Sequence, residues 1–293
     1  MECIKSLQNS TVKHCVKLLK KKSYREETGN CILAGTRVVE ELGPHVDVAC
    51  LFYQPDILSD DAAASIHDLI ESEMSMAVSS GVMGKITGLE TVSPSMVAAE
   101  VHMPRMADFT SWEPGTMTRL LVLECCQDPG NLGTLLRSAV AFGFDGVFLL
   151  PGCADPFNDK SIRASRGACF RIPLSSGSME DWQDVCRHHD LVPLVADING
   201  TEQRGGVVNS SPQGDISYLG DSSTSSRRVS LAVGSEGQGV SHAMRDACIP
   251  IEIPMADEME SLNVAAAASI IMCALSPAGF QVFHTIDAAL KDA

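Results

Sequence analysis

The hydrophobic positions of the first hundred residues come in short alternating blocks. Residues 9–22 repeat at a helical period, with Val12, Val16 and Leu19 on the predicted helix. Cys31–Ala34 reads as a strand, Thr36–Leu42 as a helix and Val48–Tyr53 as a second strand. A further helix is predicted over 62–72 and a last strand over Met96–Val101. His102–Gly115 holds two prolines, a terminal glycine and no period, which marks a boundary.

From Thr118 the pattern changes. Leu120–Glu124 is a short apolar run with the turn signal Asp128-Pro129-Gly130 after it. Leu132, Leu135, Leu136, Ala139 and Val140 then fall at i, i+3, i+4, i+7 and i+8, an amphipathic helix. Gly146–Leu150, Leu191–Ala196 and Val229–Val233 are strand candidates, and 179–189 and 240–247 are helix candidates. Ile251–Ile253 is a short strand cut by Pro254. The helix after Asn263 is apolar all round and must be buried in a core or a subunit interface. Strands alternating with helices predict a mostly parallel sheet covered on both faces. Residues 209–228, rich in Ser, Gly and Asp, read as a disordered surface loop inserted into this pattern. The expected division is a domain over 1–104, a linker over 105–117 and a second domain over 118–293.

Composition narrows the class. Of 293 residues, 45% are hydrophobic and 20% charged, which is globular rather than disordered. No apolar run reaches the ~20 residues of a bilayer span, so no membrane partner is expected. The start lacks the basic-then-apolar order of a secretory signal and the Arg/Ser-rich character of a transit peptide. An intracellular protein is expected, in the cytoplasm or, if a transit peptide is missing from this form, a mitochondrion or plastid. The eleven cysteines include no CxxC pair, which argues against a zinc knuckle or thioredoxin motif and for reduced thiols. No metal site is expected.

The formal net charge of −15 counts against nucleic-acid binding until its distribution is seen. Residues 1–40 carry eight Lys/Arg and four Asp/Glu, a net of +4; the remainder carries 14 and 33, a net of −19. Lys13, Lys17, Lys20 and Lys21 recur at helical spacing. They form either a solvated helix face or a stripe for phosphate contacts.

Three segments at strand ends carry candidate chemistry, the place where open α/β sheets bind ligands. In the first, Asn131 stands near a helix start as a possible cap, and Arg137 lies off the apolar stripe, available to an oxyanion or phosphate. The second, Gly234-Ser-Glu236-Gly237-Gln-Gly239, is a glycine-rich turn without the spacing of a dinucleotide fingerprint, P-loop or nucleophile elbow. Its Glu236 can hold a substrate hydroxyl or an arginine. The third places Ser261 and Asn263 ahead of the small-residue helix, as caps or as site residues.

Together these segments, in this order, resemble the signature motifs of the SpoU (TrmH-type) RNA ribose 2′-O-methyltransferases of the SPOUT superfamily. Lys160-Ser-Ile-Arg163-Ala-Ser165-Arg-Gly167 is similar to that family's pattern too. So are Ser6–Asn9, Lys20-Lys-Lys, Gly35-Thr-Arg37 and Thr91–Ala98, which look like its small substrate-RNA-binding domain. One position departs from the pattern, with Ala34-Gly35 where Glu-Gly is usual.

The resemblance implies a small α/β RNA-binding domain followed by a mostly parallel, trefoil-knotted α/β methyltransferase domain that works as a homodimer. It implies S-adenosyl-L-methionine as cofactor, with backbone contacts at Gly234, Ile253 and Leu262 and with Gly237 and Met255 in the same segments. Asn131, Arg137, Glu236, Ser261 and Asn263 would form the methyl-transfer site, with Arg137 either the base or an electrostatic stabiliser. Lys13, Lys17, Lys20, Lys21, Arg37 and Arg163 would meet a structured RNA, ribosomal in preference to transfer RNA. Two rivals remain: a non-catalytic RNA-binding assembly factor, and a general α/β enzyme with a Ser, Cys or His nucleophile, for which no base partner is recognisable.

Overall fold

The computed structural model of the chain describes residues 3–59, 74–196, 228–253, 255 and 261–276. The helix expected over 62–72 and all but the last residue of the 209–228 insertion lie outside the described residues. Two compact units emerge, Met1–Pro104 with Asp155–Phe170, and Arg105–Ala154 with Arg171–Ala293.

The first unit opens with helix α1 (Ser10–Lys20), whose Asn9 caps it by accepting from the Thr11 N–H at 2.8 Å. Val12, Cys15 and Leu18 are its buried face. The predicted helix over 9–22 is broken at Lys21, which is extended, and α2 (Lys22–Thr28) follows and ends at Gly29 in the left-handed region. Next come β1 (Asn30–Ala34), α3 (Thr36–Leu42), β2 (Val48–Tyr53), β3 (Ser75–Ala77), α4 (Ser80–Thr87) and β4 (Val97–His102). The sheet order is β1-β4-β2-β3, with β4 antiparallel to both neighbours and β2 parallel to β3.

The buried side of this unit carries several polar groups that are paired, while Asn30 Oδ1 and Ser161 Oγ have no partner among the described residues. Glu100, on β4, accepts from His14 Nε2 at 2.9 Å and from Asn30 Nδ2 at 2.6 Å, and His14 Nδ1 meets the Tyr24 hydroxyl at 2.9 Å. Arg25, 4% exposed, donates from Nε to Asp155 Oδ2 at 2.9 Å, donates again to it through its terminal nitrogen, and bonds the Leu18 and Leu19 carbonyls at the end of α1. Helix α6 (Asp159–Ser165) comes after the second unit's α5 (Pro129–Ala141) and packs here, with Arg166 donating to Glu41 at 2.7 Å. By contacts, residues 155–170 pack with the first unit, although the sequence pattern runs them with 118–293. Arg25 and Glu41 supply their charge partners.

The second unit contains β5 (Arg119–Leu123), α5 (Pro129–Ala141), β6 (Gly146–Leu149), β7 (Leu174–Ser176), α7 (Met179–His189), β8 (Val192–Ala196), β9 (Val229–Val233), α8 (His242–Ala247), β10 (Ile249–Ile251) and α9 (Val264–Leu275). Its six strands are all parallel, in the order β10-β8-β9-β5-β6-β7. The central strands are buried along their whole length, which explains their uninterrupted apolar runs. The fully buried Trp182 of α7 donates to Ser230 of β9 at 2.9 Å. Arg119, at the start of β5, donates to the Leu275 carbonyl at 2.8 Å and so tethers the end of α9.

The linker expected over 105–117 is no loose connection. Phe109 and Met117 are buried in the second unit's core, Phe109 edge-on to Trp112, and Ala107 bonds the Leu174 carbonyl at 2.7 Å. Two aromatics and a methionine anchor a stretch that has no period. The short strand is centred earlier than expected, at Ile249–Ile251, and the helix after it in the sequence pattern starts at Val264 as read. None of the eleven cysteines forms a disulfide.

Replacing Arg25 with Ala strands the Asp155 carboxylate and frees two helix-end carbonyls. It should cost about 3–5 kcal/mol, read as a lower urea midpoint in the transition that reports the first unit. A loss below about 1 kcal/mol would mean that the pair behaves as a surface ion pair.

Candidate active site

Every strand of the second sheet points its carboxyl end to one edge, and three chain segments meet there. The first follows β5. Asp128 is the cap of α5, accepting from the Asn131 N–H at 2.8 Å. This corrects the reading of Asn131 as the cap: it is the third residue of the helix, and its side chain is free for other work. The second segment follows β9. Ser235 and Gly239 exchange backbone hydrogen bonds at 3.0 and 3.1 Å, closing a tight loop that presents Glu236. A Cβ on Gly234 would stand 2.2 Å from the Gly239 carbonyl oxygen, so only glycine lets the two backbones approach. Glu124 braces the loop, bonding the Val233 carbonyl through its N–H at 2.9 Å and accepting from the Ser241 N–H at 2.8 Å. The third segment leads into α9. Asn263 caps that helix, its Oδ1 accepting from the Ala265 and Ala266 N–H groups at 3.0 and 3.3 Å.

Glu236 joins the three. Its Oε1 accepts from Asn131 Nδ2 and from Asn263 Nδ2, the latter at 3.0 Å. Two donors fill the lone pairs of that oxygen. Oε2 has no hydrogen bond among the described residues, so one acceptor of an exposed carboxylate remains open to a ligand.

Beside this group lies a cavity of about 530 Å³, within the ~300–1,000 Å³ typical of small-molecule sites. Gly234, Gly237, Ile253, Met255 and Leu262 all line it, as do Glu236, Ser261 and Asn263. Asn131 reaches it through Glu236. Arg137 is exposed on α5 and is not one of its walls. Six residues beyond Asn131, it stands about 9 Å farther along the helix and about 120° around it. It makes no hydrogen bond or ion pair among the described residues. The next residue, Ser138, meets Ser269 of α9 at 2.8 Å, which holds α5 against α9.

Thiol nucleophiles are poorly placed for catalysis here. Burial, aided by Cys153, Asp128 and Glu236, pushes the Cys126 thiol up to about 12, and burial pushes Cys153 up to about 11. Both stay protonated at neutral pH. His188 and His189 bond the Trp112 and Phe109 carbonyls at 2.8 and 2.9 Å, a structural use. Among the described residues no group of three or more His, Cys, Asp and Glu is arranged to hold a metal ion.

In the first unit, Lys13, Lys17, Lys20 and Lys21 are exposed, with Lys17 Nζ 5.2 Å from the centre of the Tyr24 ring. Arg37 and Arg163 are exposed or nearly so but already paired, with Glu41 at 3.0 Å and Asp159 at 2.7 Å. Three residues that matter at the cavity escaped the sequence reading. Asp128 and Glu124 were legible only as polar residues after a strand, and Arg245, another cavity wall, as a polar position on a short helix.

Comparison with known proteins places this geometry. The SpoU rRNA Methylase family model matches residues 118–273, and the MRM3-like substrate binding domain model matches 9–99. The chain is 31% identical over 274 residues to the 23S rRNA (guanosine(2553)-2′-O)-methyltransferase RlmP of Bacillus subtilis, covering 93% of this chain and 98% of that protein. It is 33% identical over 191 residues to the 23S rRNA (uridine(2479)-2′-O)-methyltransferase of Streptomyces viridochromogenes, covering 63% of this chain and 61% of the other. The AdoMet-bound crystal structure of an rRNA methyltransferase from Sinorhizobium meliloti superposes with a TM-score of 0.72 at 26% identity, over 94% of this chain and 97% of that one.

The loop geometry makes a test of its own. Gly237, at φ +81° with open space around it, should tolerate Ala at a cost of about 1–2 kcal/mol. Gly234→Ala must force the Gly239 backbone away, so it should lower the melting temperature further and open the loop to protease. Equal effects of the two substitutions would contradict the observed backbone approach.

Proposed function

The chain belongs to the SpoU rRNA methylase family, and from that premise we propose that it transfers a methyl group from S-adenosylmethionine to a ribose 2′-hydroxyl of ribosomal RNA. The observation that carries this reading is the single Glu236 oxygen shared by Asn131 and Asn263 at the lip of the cavity. The cavity suits the cofactor in three respects. Its volume is adequate, the Gly234 and Gly239 backbones form a cradle that a Cβ would fill, and Ile253, Met255 and Leu262 offer apolar walls.

When bound, S-adenosylmethionine supplies a methyl group already activated by a positively charged sulfur. The protein's task is then alignment and help for the oxygen that accepts the methyl. Glu236 Oε2, the open acceptor, takes the hydrogen bond of the ribose hydroxyl and is placed to receive its proton. Asn131 and Asn263 hold the carboxylate in one orientation, and Asn263 is itself fixed by the backbone of α9. Arg137 carries a permanent positive charge and serves as an electrostatic stabiliser, gripping the phosphate next to the target ribose. Ser261, exposed in the cavity wall, completes the polar set.

The lysines of α1 supply the RNA-facing charge of the first unit, which explains how an acidic chain attracts a polyanion through a local patch. Arg163 and Arg37 add to it by exchanging their carboxylate partners for phosphates. The working form is a homodimer through the second unit, a reading supported by apolar side chains left open in the single chain. Ile249, Leu262 and Ile270 are 54%, 40% and 49% exposed, although the helix that carries Ile270 is almost wholly apolar. The family's trefoil knot is the topology we assign to this unit. Eleven cysteines without a disulfide suit an intracellular compartment that contains ribosomes, cytoplasmic or organellar.

Arg137→Ala should lower the rate of methyl incorporation into unmodified ribosomal RNA by about 10²–10³-fold. RNA affinity, measured by filter binding, should stay within about twofold, since one phosphate contact is lost among many. An active Arg137→Ala enzyme would remove the arginine from the transfer site.

A further inference from the structure

The described walls of the cavity include three charged side chains, the carboxylates of Glu236 and Glu252 and the guanidinium of Arg245. One oxygen of Glu236 is committed to the two asparagine amides. Arg245 lies on α8, half-buried, and its guanidinium nitrogen sits 3.6 Å from the point where a Cβ on Gly239 would stand. Gly239 is the residue that closes the loop against Ser235 and Gly234. The cation is therefore packed against the backbone that forms the wall at the end of β9.

The charges of the expected ligand are confined to one side of it. In S-adenosylmethionine and its demethylated product a carboxylate and an ammonium share one carbon at the amino-acid end, whereas the adenosine end is neutral. A planar guanidinium matches a carboxylate through two parallel hydrogen bonds, and partial burial strengthens them. Resting on the cofactor reading above, we propose that Arg245 binds this carboxylate. It thereby decides which end of the cavity receives the amino-acid end and which receives the adenosine. The wall carboxylates Glu236 and Glu252 disfavour that carboxylate and suit the ammonium on the same carbon, so the carboxylate is turned toward Arg245.

Calorimetric titration of the full chain with two ligands tests the assignment. S-adenosylhomocysteine has the carboxylate; 5′-methylthioadenosine keeps the adenosine and the sulfur but lacks the amino-acid end. Arg245→Met retains the packing of the stem and removes the charge. It should weaken S-adenosylhomocysteine about 10- to 100-fold while leaving 5′-methylthioadenosine unchanged, and Arg245→Lys should fall between. An equal loss for both ligands would overturn the proposal and make Arg245 a shaping residue of the cavity. No loss for either would overturn it too. A wild-type chain that binds neither ligand would instead overturn the cofactor reading on which the proposal rests, and melting curves of both variants identify any that fail to fold.

Discussion

The Glu236 carboxylate accepts from amides that begin two different helices, and the rest of the site is arranged around that shared oxygen. Asn131 follows β5, Glu236 follows β9 and Asn263 follows β10, so the three come together only because parallel pairing puts these strand ends on one edge. Each partner is also fixed from behind. Asp128 caps the helix that carries Asn131, the helix backbone pins Asn263, and Glu124 braces the loop that carries Glu236. An exposed carboxylate gains little from one hydrogen bond in water. Held by two amides from rigid elements, it keeps one oxygen aimed outward without reorganising when a ligand arrives.

The first unit solves a different problem. It exposes the lysines of α1 while burying polar groups. It does so by satisfying each buried charge locally. Glu100 takes His14 and Asn30, and Arg25 takes Asp155 together with the carbonyls that end α1. With those charges answered below, Lys13, Lys17 and Lys20 remain on the open face of α1, where only Lys17 is drawn toward a ring.

Local pattern made much of this legible. The apolar stripe of α5, the runs of β2, β5 and β9, and the cap at Asn263 all follow from spacing that the fold preserves. Elements with weak local signals were hidden. Helix α4 contains Gly81 and Gly84, and β7 is only three residues long. Long-range partners were invisible for a different reason. Arg25 and Asp155 lie 130 positions apart, and Asn131 and Glu236 lie 105 apart, so neither pairing leaves a trace in any window. The motif resemblance supplied what periodicity could not. It grouped eight residues that line the cavity before any distance was known, yet it did not bring out Arg245 or Glu124, which act on the same loop.

The most direct measurement is the identity of the methylated nucleoside. Unmodified ribosomal RNA is incubated with the protein and isotope-labelled S-adenosylmethionine, digested to nucleosides and analysed by mass spectrometry. The label should reside on the ribose of a single nucleoside type, as a 2′-O-methyl group, if the assignment of Glu236 to a sugar hydroxyl holds. Label on a base, or none despite measurable cofactor binding, would contradict the assignment of the Asn131–Glu236–Asn263 group to ribose methylation.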